Sequence, residues 1–399
     1  MRLRIRATLT MMLAMTAAQC LGQTASSPDP ERQTALAVEQ QGKNAEAEAA
    51  WRVYLHAHPS SPEPYAHLGL LEARQEHYKE AVPLYRKALE LGPKIPGLQL
   101  NLGLALFKGG EAKESIQVFE PLLKSEPVDS PMARQLTILL GMAHYGLGEY
   151  AEAVPYLKAA AQADAQNLQI RLTLAHSCLW TKQYQCVLDV YHEILLLNAE
   201  SAEADMLAGE ALDGTKDRTG AIQQFRAAAK ADPKQPEVHF GLGYLLWIQK
   251  EYEEAASEFQ AELNNNPNHV QAMIYLGDTE TQLNHPEAAL PLLENSLRID
   301  AGQELVHLDL GILYTQAGRR DDALRELKMA EKLDPSDEKV HWRLGRLYQA
   351  EGKKEEAKTE FDITRAMQKA NEDSQARKLE NAQEKAKSAQ EAPGAPVAR

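Results

Sequence analysis

Twelve histidines and three cysteines are the residues of this 399-residue chain whose side chains most readily ligate metals or react. His56, His58 and His67 could supply three imidazoles to a metal ion if adjacent helices brought them together, but their spacing does not enforce this. His192-Glu193 is followed by Ile-Leu-Leu-Leu, which offers no second ligand at helical spacing. His239, His307 and His341 recur at one position of an internal repeat and read as packing residues. Cys178 and Cys186 lie eight residues apart on opposite sides of a predicted helical turn. They read either as a disulfide or as two buried small hydrophobes. Phosphate-loop, GxSxG and HExxH motifs are absent, and paired acids such as Asp321-Asp322 and Glu253-Glu254 suit solvated helix faces. The expectation is a chain with no catalytic residue, no cofactor and no metal.

What must position these residues is a repeat. Pro59, Pro93 and Pro127 are 34 residues apart; after one step of 38, Ala165, Ala199, Pro233, Pro267, Ala301 and Pro335 resume the spacing of 34. Ten residues after most of these positions stands a glycine: Gly69, Gly103, Gly209, Gly243, Gly277, Gly311 and Gly345. Gly141 joins them once four residues are added. A small residue follows twelve positions on (Ala81, Ala153, Ala255, Ala289), and a bulky one four beyond that (Tyr85, Leu157, Phe259, Leu293). Each unit reads as two amphipathic helices with a short polar turn between them. The proline or its substitute ends the second helix. A weaker first unit holds Ala47 and Trp51, which gives about ten units between residues 28 and 369.

The Leu-Gly pairs at 68–69, 102–103, 140–141, 242–243, 276–277, 310–311 and 344–345, with the Ala, bulky and Pro positions, resemble the tetratricopeptide repeat family. The resemblance covers about 85% of the chain. It implies an all-α, right-handed superhelical solenoid of about ten helix-turn-helix repeats, whose first helices line a concave groove, and a role in binding proteins or peptides. By that layout the groove carries Leu104, Phe107, Met142, Tyr145 and Trp180, then Phe240, Tyr244 and Trp247. Nearer the C-terminus the same face turns polar, at Asp278, Thr281, Thr315, Arg346 and Gln349. The competing reading is that the apolar residues pack between neighbouring repeats and never meet solvent. The basic and asparagine pairs with which some relatives clamp acidic tails have no match on these faces.

Departures from the period are informative. Four residues are close to one helical turn, and Ser130-Pro131 suit an N-cap and first helical position, so the 38-residue step predicts a first helix one turn longer. A protruding binding loop is the other reading of that step. Pro121, deep in a second helix, should leave the Gln117 carbonyl without its donor and kink the helix. In the unit at 168–198, Ala175 replaces the glycine and Val187 the small alanine.

The ends are of another kind. Arg2, Arg4 and Arg6 precede an uncharged, mostly apolar stretch from Ala7 to Ala18, the layout of a secretory signal peptide over residues 1–22. That stretch is too short to span a bilayer. Cys20 raises lipid anchoring, but Gln19 stands where lipidation signals want a small residue. Export to the periplasm or beyond is therefore expected, with the solenoid at 23–369. Residues 370–399 would form a charged helical extension and a disordered tail. Loss of the leader takes the formal charge from −14 to −17, which excludes a nucleic-acid binder reliant on a basic surface. No later segment suits a membrane span. The expected function is an exported, non-catalytic adaptor or scaffold whose partner is a protein or peptide. The alternative is a structural subunit of a cell-envelope assembly for secretion, pili or polysaccharide export.

Overall fold

A computed structural model of the chain describes residues 29–92, 95–198 and 200–391, with side chains through 383. The expected leader at 1–22, including Cys20, and the end of the expected tail, 392–399, lie outside the described residues. These form twenty helices and no strands, in two compact units that divide after Asp217. The first unit holds α1 (Pro30–Gln40), α2 (Asn44–Ala57), α3 (Pro62–Arg74), α4 (Tyr78–Leu91), α5 (Leu98–Lys108), α6 (Ala112–Ser125), α7 (Pro131–Leu147), α8 (Tyr150–Ala163), α9 (Leu168–Trp180), α10 (Tyr184–Leu197) and α11 (Ala202–Gly214). The second holds α12 (Arg218–Ala231), α13 (Val238–Ile248), α14 (Tyr252–Asn265), α15 (Val270–Gln282), α16 (Pro286–Ile299), α17 (Glu304–Gln316), α18 (Arg320–Leu333), α19 (Glu338–Ala350) and α20 (Lys354–Glu391). Consecutive odd and even helices pair as hairpins, α1–α2 through α9–α10 in the first unit and α13–α14 through α19–α20 in the second, each stacked on the next within its unit, so the fold is an all-α repeat solenoid.

The repeated glycine is explained by the bulky residue sixteen positions later. A Cβ on Gly103 would lie 2.3 Å from the Phe119 ring, and one on Gly277 would lie 2.6 Å from Leu293. Gly69 faces Tyr85, Gly141 faces Leu157, Gly243 faces Phe259, Gly311 faces Leu327 and Gly345 faces Phe361 in the same way. Phe119, Leu157, Phe259, Leu293 and Leu327 are fully buried, each stabilising its hairpin by about 1.5–3 kcal/mol. In the odd unit the Ala175 methyl occupies this space. Tyr191, at the bulky position, is only half-buried and donates its hydroxyl to Asp205 Oδ1 at 2.8 Å.

Every turn within a hairpin whose geometry is described needs a left-handed residue seven after the glycine position. Gly110, Gly148, Gly318 and Gly352 supply it without a Cβ clash, whereas Glu76, Lys182, Lys250 and Asn284 adopt positive φ despite one.

The 38-residue step is the longer helix that the sequence predicts. α7 has 17 residues against 13 in α3 and α9, and the Ser130 hydroxyl accepts from the Ala133 amide at 3.0 Å. Pro121 does not end its helix. α6 continues through it, as α4, α8 and α16 continue through Pro83, Pro155 and Pro291. All four prolines and Gln117 are solvent-exposed, so water can satisfy a carbonyl that lacks its intrahelical donor. The charged extension is a direct continuation of the last helix, with Leu379 63% exposed.

Candidate peptide-binding site

In the first unit, a groove of about 1560 Å³ runs between the ends of α6 and α8, the start of α9 and the whole first half of α7. Phe107 of α5, Leu123 of α6, Ile138 and Met142 of α7 and Ile170 of α9 form its apolar lining, with Arg134 and Gln135 at the rim. The extra turn of α7 is one wall: Pro131, Ala133, Arg134 and Gln135 all face the groove. The insertion is therefore a longer helix rather than a protruding loop, and that helix walls the groove. Leu104 packs beneath it against the core of Phe119, Leu136 and Leu140.

Tyr145 and Trp180 belong to an aromatic cluster whose centre, Tyr150, the sequence reading missed. The Trp180 indole stacks on the Tyr150 ring at 5.7 Å and 13°, and Tyr145 meets Tyr150 edge-on at 5.6 Å. Burial, then the neighbouring Tyr150 and the Glu203 carboxylate, push the Tyr145 phenol above its ordinary value. The signal for Tyr150 was available as a tyrosine three residues before the small alanine in several repeats, Tyr78, Tyr150 and Tyr252, and before Val187 at that position, Tyr184.

Phe240, Tyr244 and Trp247 fall in the second unit, around Tyr275. Tyr244 and Trp247 meet the Tyr275 ring edge-on at 5.3 and 5.1 Å, and Phe240 stacks on His269 at 4.9 Å. The Trp247 indole N–H donates to Asp278 Oδ2, and Gln282 donates to Asp278 Oδ1 at 3.1 Å. Asp278 and Thr281 are buried rather than groove-lining, which corrects the face assigned to them from spacing. Burial raises the Asp278 carboxyl above its ordinary value against the pull of the Trp247 and Gln282 donors. None of the six aromatics at groove positions is fully buried: Trp180 is 64% exposed and the others are half-buried. The eight groove positions thus form separate constellations, each within one unit.

The recurrent histidines pack as polar brackets, His307 and His341 being buried. Nδ1 of His239, His307 and His341 meets Glu258, Glu326 and Glu360 at 2.6, 2.8 and 2.7 Å. Nε2 of each meets the carbonyl six residues earlier, at 3.0, 3.2 and 3.0 Å. Each ring therefore ties both helices of its hairpin to the preceding loop. For His341, burial opposes the charged form but the Glu360 and Pro335 contacts outweigh it, so its pKa is raised. The signal was a glutamate nineteen residues after each of these histidines.

The other chemistry-bearing residues are dispersed or joined. His56 is exposed, His58 pairs with Asp29 at 3.1 Å and His67 with buried Glu39 at 2.7 Å, so the three do not converge on a metal. Glu331, His341 and Glu360 do converge, but Lys328 Nζ bonds Glu331 at 2.8 Å and Glu360 at 3.3 Å and supplies the positive charge there itself. Cys178 of α9 and Cys186 of α10 are joined in a disulfide, their Cα atoms 6.0 Å apart.

Stacked helical hairpins with an open groove define a binding scaffold of the repeat class. Tetratricopeptide repeat models match residues 32–96, 100–167, 188–236, 206–268 and 242–304, with further matches at 144–211, 280–341 and 338–362. The chain belongs to the tetratricopeptide repeat family. No curated protein matches it. Among solved structures it is similar to YrrB, described as a TPR protein with an unusual peptide-binding site (20% identity, 45% of this chain and 92% of that one, TM-score 0.39). It is also similar to pilF of Pseudomonas aeruginosa (19%, 55% and 97%, 0.47) and to a tetratricopeptide repeat protein of Parabacteroides merdae (17%, 63% and 97%, 0.45).

Proposed function

We propose that this protein is an exported, non-catalytic adaptor that holds an extended peptide segment of its partner in the groove of the first unit. The groove carries the reading. At about 1560 Å³ it exceeds the ~300–1,000 Å³ usual for small-molecule sites, and its apolar floor with a polar rim suits side chains displayed along a peptide. Export is supported by the leader-like N-terminus and by a disulfide, which persists in oxidising compartments.

Phage-displayed peptides selected on the whole chain test the groove. Selected peptides should carry apolar anchors, and Met142→Arg should weaken their binding at least about tenfold, roughly the loss of one buried anchor. Its thermal unfolding should stay close to that of the parent. Peptides that bind the Met142→Arg variant as well as the parent would place the site elsewhere.

A further inference from the structure

Thirty residues separate Tyr78 from Lys108, Tyr150 from Trp180 and Tyr184 from Gly214, and in each pair the later residue lies against the ring of the earlier. The end of each first helix thus covers the tyrosine of the preceding hairpin. What covers it differs. Lys108 places its ammonium 5.7 Å from the centroid of the Tyr78 ring, and the Gly214 backbone lies flush against Tyr184. At the middle position an indole takes the place of the cation, and Trp180 is 64% exposed.

We propose that the outer face of Trp180 is the seat for a cationic side chain, lysine or arginine, of the peptide bound in the first unit. The inference rests on the groove reading and gives its ligand a charge. Three observations support it. The chain's own Lys108 shows that this tyrosine position accepts a cation over the ring. Trp180 offers the strongest aromatic surface for one, stacked on Tyr150 and backed by Tyr145. The carboxylates beside the cluster are acidic and accessible: Glu149 adjoins Tyr150, and Glu203 is close enough to act on the Tyr145 phenol, with side chains 46% and 43% exposed. Each is hydrogen-bonded to a histidine, Glu149 to His144 at 2.8 Å and Glu203 to His176 at 2.9 Å, which fixes its position without covering it. Lys182, in the turn after Trp180, makes no cation–π pair with the indole among the described residues.

The test uses the whole chain with 15N-labelled indoles, the Trp180 resonance being assigned from Trp180→Phe. Three acetylated pentapeptide amides serve as probes: oligolysine, oligoserine and oligoglutamate. Oligolysine alone should shift the Trp180 indole, and the shift should shrink with added salt. Trp180→Ala and Glu203→Gln should each weaken oligolysine binding by about two- to fivefold, the range for a cation on an exposed ring. Both residues are exposed enough that the variants keep the fold. A Trp180 resonance that oligolysine leaves in place, or that oligoserine moves equally, overturns the seat. The groove reading fails separately: peptides selected on the chain that lose affinity with Met142→Arg but not when their lysines become norleucine would keep the groove and refute the seat. Oligolysine that moves Trp180 while Met142→Arg leaves every selected peptide bound would do the reverse.

Discussion

Asp309 of α17 is 1% exposed, and its buried Oδ2 makes no hydrogen bond among the described residues. Burial, then the charges of Asp278 and Glu304, hold its carboxyl well above its ordinary value; Lys339 and Arg343 pull the other way without pairing with it. Glu304 is itself raised to about 7, by burial and then by Asp337 and Asp334. The sign follows from linkage. The unfolded aspartate loses its proton near pH 4, whereas the folded one keeps it to higher pH. The ionisation cost of Asp309 is therefore absent below the unfolded pKa and grows as pH rises from there toward the folded pKa. Asp309→Asn removes the charge at nearly constant shape. It should stabilise the region around α17 by about 1–3 kcal/mol at pH 8, the scale of one unsatisfied buried polar group. At pH 4.5 the gain should fall to a small fraction of that. Hydrogen exchange of α15, α17 and α19 amides in the whole chain, corrected for intrinsic rates, reads this locally where a repeat array does not unfold in one step. A loss of more than 1 kcal/mol at pH 8, or a difference that ignores pH, would show a charged Asp309 held by Arg343 and Lys339 and would refute the reasoning.

Two further predictions bear on the scaffold. Gly277→Ala forces a methyl within 2.6 Å of Leu293 and should destabilise by about 1–3 kcal/mol in urea unfolding, whereas Gly146→Ala, in α7 with nothing within 4 Å, should stabilise by about 0.5–1 kcal/mol. Reduction of Cys178–Cys186 should lower stability by about 2.5 kcal/mol, the chain-entropy value for a loop of eight residues, with a mass gain of two hydrogens confirming the bond in the untreated protein.

The repeat was legible because its determinants are local and periodic: a glycine, the bulky side chain sixteen residues on, and a helix-ending proline leave a trace at fixed spacing. The α7 insertion was legible for the same reason, since four residues with Ser130-Pro131 at their start can be absorbed as one turn. Pairings between different helices were harder. Glu258, Glu326 and Glu360 complete the histidine brackets, yet each looks like one more charge on a solvated face until the hairpin closes. Pro121 shows that losing one intrahelical donor does not end a helix where water reaches the freed carbonyl. Asp278 was misplaced because helical phase gives the face of a residue but not how deeply Trp247, one repeat back, covers it.

The groove in the first unit follows from the same geometry. α5 begins five residues before its glycine and α9 seven before Ala175, but α7 begins ten before Gly141. Its first turn therefore starts further from the repeat's glycine position than those of its neighbours; Met132 and Ala133 pack inward, and the other side of the turn is left uncovered. Arg134 is exposed, Gln135 half-buried, and Val128 in the preceding loop is 88% exposed. In an evenly spaced array each first helix is covered along its length by the next, and the surface left over is shallow. One extra turn breaks that match and opens a space bounded by α7 on one side and by the ends of α6 and α8 on the other. Deleting one turn from the start of α7 should therefore close the groove while keeping every glycine contact, because the contacts of Gly141 with Leu157 lie ten residues further along the helix.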